Sequence, residues 1–260
     1  MSLKISSKII GYDDDFSYFL NLYKLKKMPN SILLLGLEGI GKYTFSLHLI
    51  ATILHEDNEK IESNLVKNHN VLILKKAENI KEYTVDEIRN VINFCKFRSD
   101  VNIPKFILIR NINDLNNNSV NALLKLTEEP NNNVYFIFTA NILQNYSETL
   151  SSRFYKKKMF LSKNFYSKII NNYIKENSIT VSKITNELKE TPGDYIRKYI
   201  VSINEQLVEL KKNNESLFFK IMSENIINRN NLDYLTDLKK MRISLYLKND
   251  INRLILKYDK

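Results

Sequence analysis

Ile32-Leu33-Leu34-Leu35-Gly36-Leu37-Glu38-Gly39-Ile40-Gly41-Lys42-Tyr43-Thr44 is the stretch that decides the fold. Its first four residues form a continuous apolar run of strand length that ends in a glycine turn. A helical pattern follows from Thr44 to Leu54, with Phe45, Leu47, His48, Leu49 and Ile53 available to pack. A strand, a glycine-rich loop and a helix in that order gather backbone N–H groups and a helix N-terminus around an anion. Gly36, Gly39 and Gly41 permit the tight loop, and Lys42 can reach a phosphate. The spacing G-x-x-x-x-G-K is that of a phosphate-binding loop.

The same stretch lacks what hydrolysis requires. Tyr43 stands where a Ser or Thr hydroxyl would ligate Mg²⁺, and Thr44 comes one residue late, pointing elsewhere on the helix. The apolar run Phe106-Ile107-Leu108-Ile109 should end in acidic residues, but Arg110 and Asn111 follow it. The next acid, Asp114, lies beyond the expected position. Three readings stay open: a relic loop that binds no nucleotide, binding of ATP or ADP without turnover, and hydrolysis. No metal site and no required cofactor are expected.

Working outward, apolar runs alternate with helical patterns up to about residue 160. Val71–Leu74 reads as a second strand, Phe106–Ile109 as a third and Val134–Phe138 as a fourth, with Lys158–Leu161 as a candidate fifth. Val85, Ile88, Val91, Ile92 and Cys95 share one helical face, as do Val120, Leu123, Leu124 and Thr127 before Pro130. Strands this apolar are buried on both faces, which implies a parallel sheet covered by helices, an α/β fold. Beyond Leu161 the strand signals stop. A helical stripe from Phe165 to Ile174, shorter patterns around the turn Thr191-Pro192-Gly193, and wholly helical spacing after Asn204 follow. The boundaries fall near 162 and 205: domains at 1–162, 163–205 and 206–260.

Composition narrows the class further. The chain has 260 residues, 43% hydrophobic and 26% charged, as in an ordinary globular protein. Its single cysteine, Cys95, excludes an internal disulfide framework and a cysteine-rich zinc site, and its place on an amphipathic face reads as a small buried apolar residue. No apolar run approaches the ~18 residues needed to span a bilayer. Met1 to Lys8 carries no signal-peptide core, so cytoplasm is the expected location and no membrane partner is expected. The net charge of +10, from 39 Lys and Arg against 29 Asp and Glu, invites a nucleic-acid partner. The joint excess of Lys, Asn, Ile and Tyr reads instead as genomic base composition. Lys156-Lys157-Lys158 reads as a solvated strand edge.

Four segments carry a family resemblance. Asn121-Ala122-Leu123-Leu124-Lys125-Leu126-Thr127-Glu128-Glu129-Pro130 resembles the N-A-L-L-K-x-x-E-E-P helix of bacterial DNA polymerase III clamp loaders. Val85-Asp86-Glu87-Ile88-Arg89 is similar to their V-x-x-I-R segment, Ser152-Arg153-Phe154 to their S-R-C motif, and Gly36 to Lys42 to the loop of the delta-prime type. Thr191-Pro192-Gly193 resembles the lid, so the likeness runs from about residue 10 to about 205. It implies an AAA+ RecA-like five-stranded parallel sheet with helices on both faces, then a small helical lid, then an all-α collar that is short here. It implies clamp-loader motor (gamma/tau) and delta subunits as partners in a hetero-pentamer. The sliding clamp and primed DNA are met through that assembly, which serves a DNA polymerase holoenzyme.

The departures favour the delta-prime, non-hydrolysing type, which is not an enzyme by itself; the alternative is an ATP-hydrolysing motor. Motors of the family keep the hydroxyl after the lysine, two acids after the third strand and four zinc-binding cysteines. The lid normally presents Arg after Pro-Gly, where this chain has Asp194. By the same resemblance, Arg153 is an arginine finger reaching ATP in the adjacent motor, and Thr139 stands at a first-sensor position. Gly36, Gly39, Gly41, Lys42 and Thr44 form a vestigial phosphate site.

Overall fold

A computed structural model describes residues 8–57, 60–76, 82–96, 103–128, 133–176 and 190–197. The collar expected at 206–260, residues 177–189 and 198–205 of the expected lid, and the Glu129-Pro130 end of the clamp-loader-like helix lie outside the described residues. Packing divides the chain into two compact units: residues 2–169 with 191–193, and the remainder.

The first unit is built on a sheet of five strands: β1 (Ser31–Gly36), β2 (Val71–Leu74), β3 (Lys105–Ile109), β4 (Val134–Asn141) and β5 (Tyr155–Lys158). Their order is β2-β3-β4-β1-β5, and every pairing is parallel. Helices α1 (Asp13–Lys24), α2 (Lys42–Ile53), α3 (Ile61–Lys67), α4 (Val85–Lys96), α5 (Asn117–Glu128) and the short α6 (Glu148–Ser151) alternate with the strands. This is the helix-covered parallel sheet expected of the sequence.

Alternation along β1 shows why both faces need cover. Ile32 and Leu34 join a core with Phe19 of α1, Phe45, Leu47 and Ile50 of α2, and Leu65 of α3. Leu33 and Leu35 point the other way, into a core with Ile88 and Val91 of α4, Val120 and Leu123 of α5, and Leu150 of α6. Successive strand residues face opposite sides, so a run with no polar residue can only be buried twice. Phe45 gathers Tyr12, Phe16 and Phe19 edge-on, with ring centroids 5.8–6.1 Å away.

Local chemistry fixes the helix starts. Thr84 and Glu87 form a reciprocal capping box at α4: the Thr84 N–H donates to Glu87 Oε2 (2.7 Å), and the Glu87 N–H to Thr84 Oγ1 (3.3 Å). Asn116 Oδ1 accepts from the Ser119 N–H (2.9 Å) at the head of α5. Cys95 is buried among the apolar residues under α4, as its pattern implies, and burial pushes its thiol pKa up to about 11.

The fifth strand is three residues earlier than the sequence suggests. Tyr155–Lys158 pairs with Ile32–Leu35 at the sheet edge, with Tyr155, Lys156 and Lys158 exposed. The apolar Met159 and Leu161, which suggested the strand, pack into the core just past its end. α1 and α3 were not expected. In the second unit, the described residues contribute a contact between Arg197 and Asp194, one helical turn apart at 2.6 Å.

Candidate functional site

Parallel register brings the carboxyl ends of β1 to β4 to one edge, where Gly36 stands beside Asn141, and Leu74 beside Ile109. Open α/β sheets place their ligand sites at this edge. The loop between β1 and α2 lies here. Gly39 and Gly41 have φ of 75° and 98°, a left-handed region that strains any residue with a Cβ. Gly36 has a different reason to be glycine. A Cβ there would lie 2.6 Å from Ile40 Cδ1 and 2.8 Å from the Met159 carbonyl oxygen. Gly36→Ala is therefore expected to destabilise the chain by about 1–3 kcal/mol through overpacking. An unchanged denaturant midpoint would show that the loop yields without strain.

The loop is closed on itself. Lys42 is buried, and its Nζ donates to the Gly36 carbonyl (2.8 Å) and the Leu37 carbonyl (2.6 Å). Tyr12 Oη donates to the Ile40 carbonyl (2.9 Å) from below. The Gly193 N–H donates to the Gly39 carbonyl (2.8 Å), and a Cβ on Gly193 would come within 2.7 Å of Gly39 Cα. The Thr191-Pro192-Gly193 turn thus rests on the glycine loop, main chain to main chain. Thr44, in the first turn of α2, is half-buried.

Around the loop, cations occupy the ground where a metal site would need acids. Tyr43 Oη donates to Glu62 Oε1 of α3 (2.8 Å), and Lys75, just past β2, pairs with the same carboxylate. The Arg110 guanidinium, just past β3, lies 5.2 Å from the Tyr43 ring centroid, and Lys75 Nζ lies 5.9 Å from it. Burial, then the Glu62 charge, pushes the Tyr43 phenol pKa far up, so it stays a neutral donor. Asp114 is turned to other work: it accepts from Asn111 Nδ2 (2.9 Å) and pairs with Lys76 (3.1 Å). Among the described residues, no group of three or more His, Cys, Asp or Glu could hold a metal ion. The sequence listed Tyr43 and Arg110 as losses. It did not reveal that they meet, because they come from the ends of separate elements.

Thr139 is buried on β4, and its Oγ1 accepts from the Asn111 N–H (2.9 Å). It braces the left-handed turn at Asn111, whose φ is 62°.

Arg153 lies elsewhere. β5 runs parallel to β1 and pairs Tyr155 with Ile32, so Arg153 precedes the sheet at its amino edge. Ile32 and Gly36 bound a four-residue rise along β1, about 13 Å at strand spacing. Arg153 and the chain's own glycine loop therefore belong to opposite edges. The α6 turn presents the arginine: Leu150 and Phe154 are buried on either side, and Ser147 caps the helix by accepting from the Leu150 N–H (3.3 Å). The Phe154 ring stacks on Phe138 of β4, with centroids 4.4 Å apart. Arg153 Nε donates to Glu128 Oε1 (2.9 Å), Nη2 contacts the same oxygen (2.5 Å), and Nη1 donates to the Thr149 carbonyl (2.5 Å).

Among known proteins, the model of the family described as DNA polymerase III, delta subunit matches residues 13–160, more than half of this chain. No curated protein matches it. Among solved structures, a DNA polymerase III gamma subunit-related protein from Thermotoga maritima is 16% identical, with a TM-score of 0.48; the match covers 83% of this chain and 80% of that one. The RuvB Holliday junction branch migration motor of Thermotoga maritima is 18% identical, with a TM-score of 0.47, over 76% of this chain and 62% of that one. No helix among the described residues is long and apolar enough to cross a membrane.

Proposed function

Because this chain belongs to the DNA polymerase III, delta subunit family, we propose that it is the delta-prime-type, non-hydrolysing member of a clamp loader. In this reading it acts in the cytoplasm beside gamma/tau motor and delta subunits in a hetero-pentamer that loads the sliding clamp onto primed DNA. Arg153 is its contribution to chemistry. A guanidinium placed against a transferring phosphoryl group neutralises the charge that develops there.

The observation that carries the reading is the separation of Arg153 from the chain's own phosphate loop. An arginine at the amino edge of the sheet cannot serve a loop at the carboxyl edge. In this reading it serves a nucleotide brought by another subunit. The state of the loop supports the same conclusion. Lys42 donates to the loop's own carbonyls, and Tyr43 and Arg110 stand where a hydroxyl and acids would be needed to hold Mg²⁺. ATP or ADP, if held at all, is held without turnover, and Thr139 braces a turn rather than sensing a γ-phosphate.

The test is phosphate release from ATP and Mg²⁺ by the purified chain, with calorimetric titration on the same sample. The expected result is no release above the protein-free rate. Steady turnover that Lys42→Ala abolishes would identify a motor and overturn the reading.

A further inference from the structure

We propose that Glu128 is a positioning residue for Arg153, holding the guanidinium so that its outer edge faces a neighbouring subunit's nucleotide; this rests on the finger reading above. Glu128 Oε1 accepts from Nε and lies 2.5 Å from Nη2, while the Thr149 carbonyl accepts one N–H of Nη1. A guanidinium has five N–H donors in a rigid plane. Two are in hydrogen bonds and Nη2 lies against the same carboxylate oxygen, so the Nη groups keep further donors for phosphoryl oxygens. The pair therefore does not use up the arginine. It aims the arginine and leaves donors on its Nη groups for a further contact.

A second observation argues that the carboxylate is there for aim rather than for stability. Both partners are substantially exposed, with side-chain accessibilities of 35% for Arg153 and 47% for Glu128, so their ion pair contributes little to folding.

The experiment is a double-mutant cycle in the reconstituted loader, read by single-turnover ATP hydrolysis. Glu128→Ala is expected to slow the phase belonging to the adjoining site about tenfold, since loss of orientation alone can cost that much or more. KM should be unchanged. Glu128→Gln should recover part of the rate, because its amide oxygen still accepts from Nε. In an Arg153→Ala background, Glu128→Ala should have no further effect. The thermal midpoint of the Glu128→Ala chain should hardly change, because the ion pair it removes is exposed.

Loss of rate with Arg153→Ala but none with Glu128→Ala would overturn the positioning role and leave the finger standing. The same holds if Glu128→Ala slows hydrolysis equally in both backgrounds. No effect from Arg153→Ala would sink the finger reading, and this proposal with it.

Discussion

Replacing Arg153 with Ala in the assembled loader is expected to slow hydrolysis at the adjoining ATP site about 10³- to 10⁵-fold. The range is that of a guanidinium that stabilises charge only in the transition state, so assembly and nucleotide affinity should stay close to normal. In a single-turnover experiment, one site's share of ATP should move from the fast phase to a slow one. Arg153→Lys should rescue little. An ammonium is a point charge and cannot reproduce the planar fork, nor can it hold both Glu128 and the Thr149 carbonyl while reaching outward. Size-exclusion chromatography of the loader separates this outcome from simple loss of assembly. Unchanged single-turnover kinetics in an intact loader would remove Arg153 from the chemistry.

The second large effect lies one residue further along. Phe154→Ala is expected to destabilise the chain by about 3–5 kcal/mol. The ring is 7% exposed and stacks on Phe138, itself fully buried on β4 beside β1. Truncation leaves a void against the central strands of the sheet, where neighbours are held by pairing on both sides and cannot close in. Phe154→Leu keeps most of the volume and should lose less, roughly 1–1.5 kcal/mol. Denaturant midpoints measured at constant m-value would decide it. Equal, small shifts for both substitutions would mean that the site collapses around whatever is left. The two effects are linked in the chain: Phe154 anchors the turn that carries Arg153, so the arginine's aim depends on an aromatic stack made by its neighbour.

Much of this fold is legible in the sequence because the runs Ile32–Leu35, Val71–Leu74, Phe106–Ile109 and Val134–Phe138 at the heart of β1 to β4 are apolar, as strands covered by helices require. β5 is less legible for the opposite reason. Tyr155-Lys156-Lys157-Lys158 gains its strand geometry from pairing with β1, and nothing in its own composition marks it. α1 left a readable signal in Phe16, Phe19, Leu20 and Tyr23, spaced three and four apart behind Asp13, Asp14 and Asp15. α3 is seven residues long and buries two apolar residues, too little periodicity to recognise.

At the site, the glycine spacing gave away the loop, since each glycine answers a local steric demand. The contacts that matter most were hidden. Tyr43, Glu62, Lys75 and Arg110 come from four separate segments and converge through strand register. Glu128 was visible as part of a motif but not as the partner of Arg153, 25 positions away. The placement of Arg153 across the sheet from the loop follows from one pairing, Ile32 with Tyr155, which no local pattern encodes.

The lysine run on β5 has a consequence for the protein's life in a crowded cell. β5 is an outer strand of the sheet, with one side paired to β1 and its other hydrogen-bonding edge unpaired within the sheet. Such an edge invites a strand from another molecule. Lys157 is tied down by Asp15 of α1, and the Tyr155 hydroxyl lies 3.0 Å from that of Tyr18, so α1 shields part of the strand. A second copy laid along the rest would bring lysine against lysine at almost every step. Charge on an edge strand opposes such edge-to-edge association, so the lysine run guards the side of the strand that β1 does not cover.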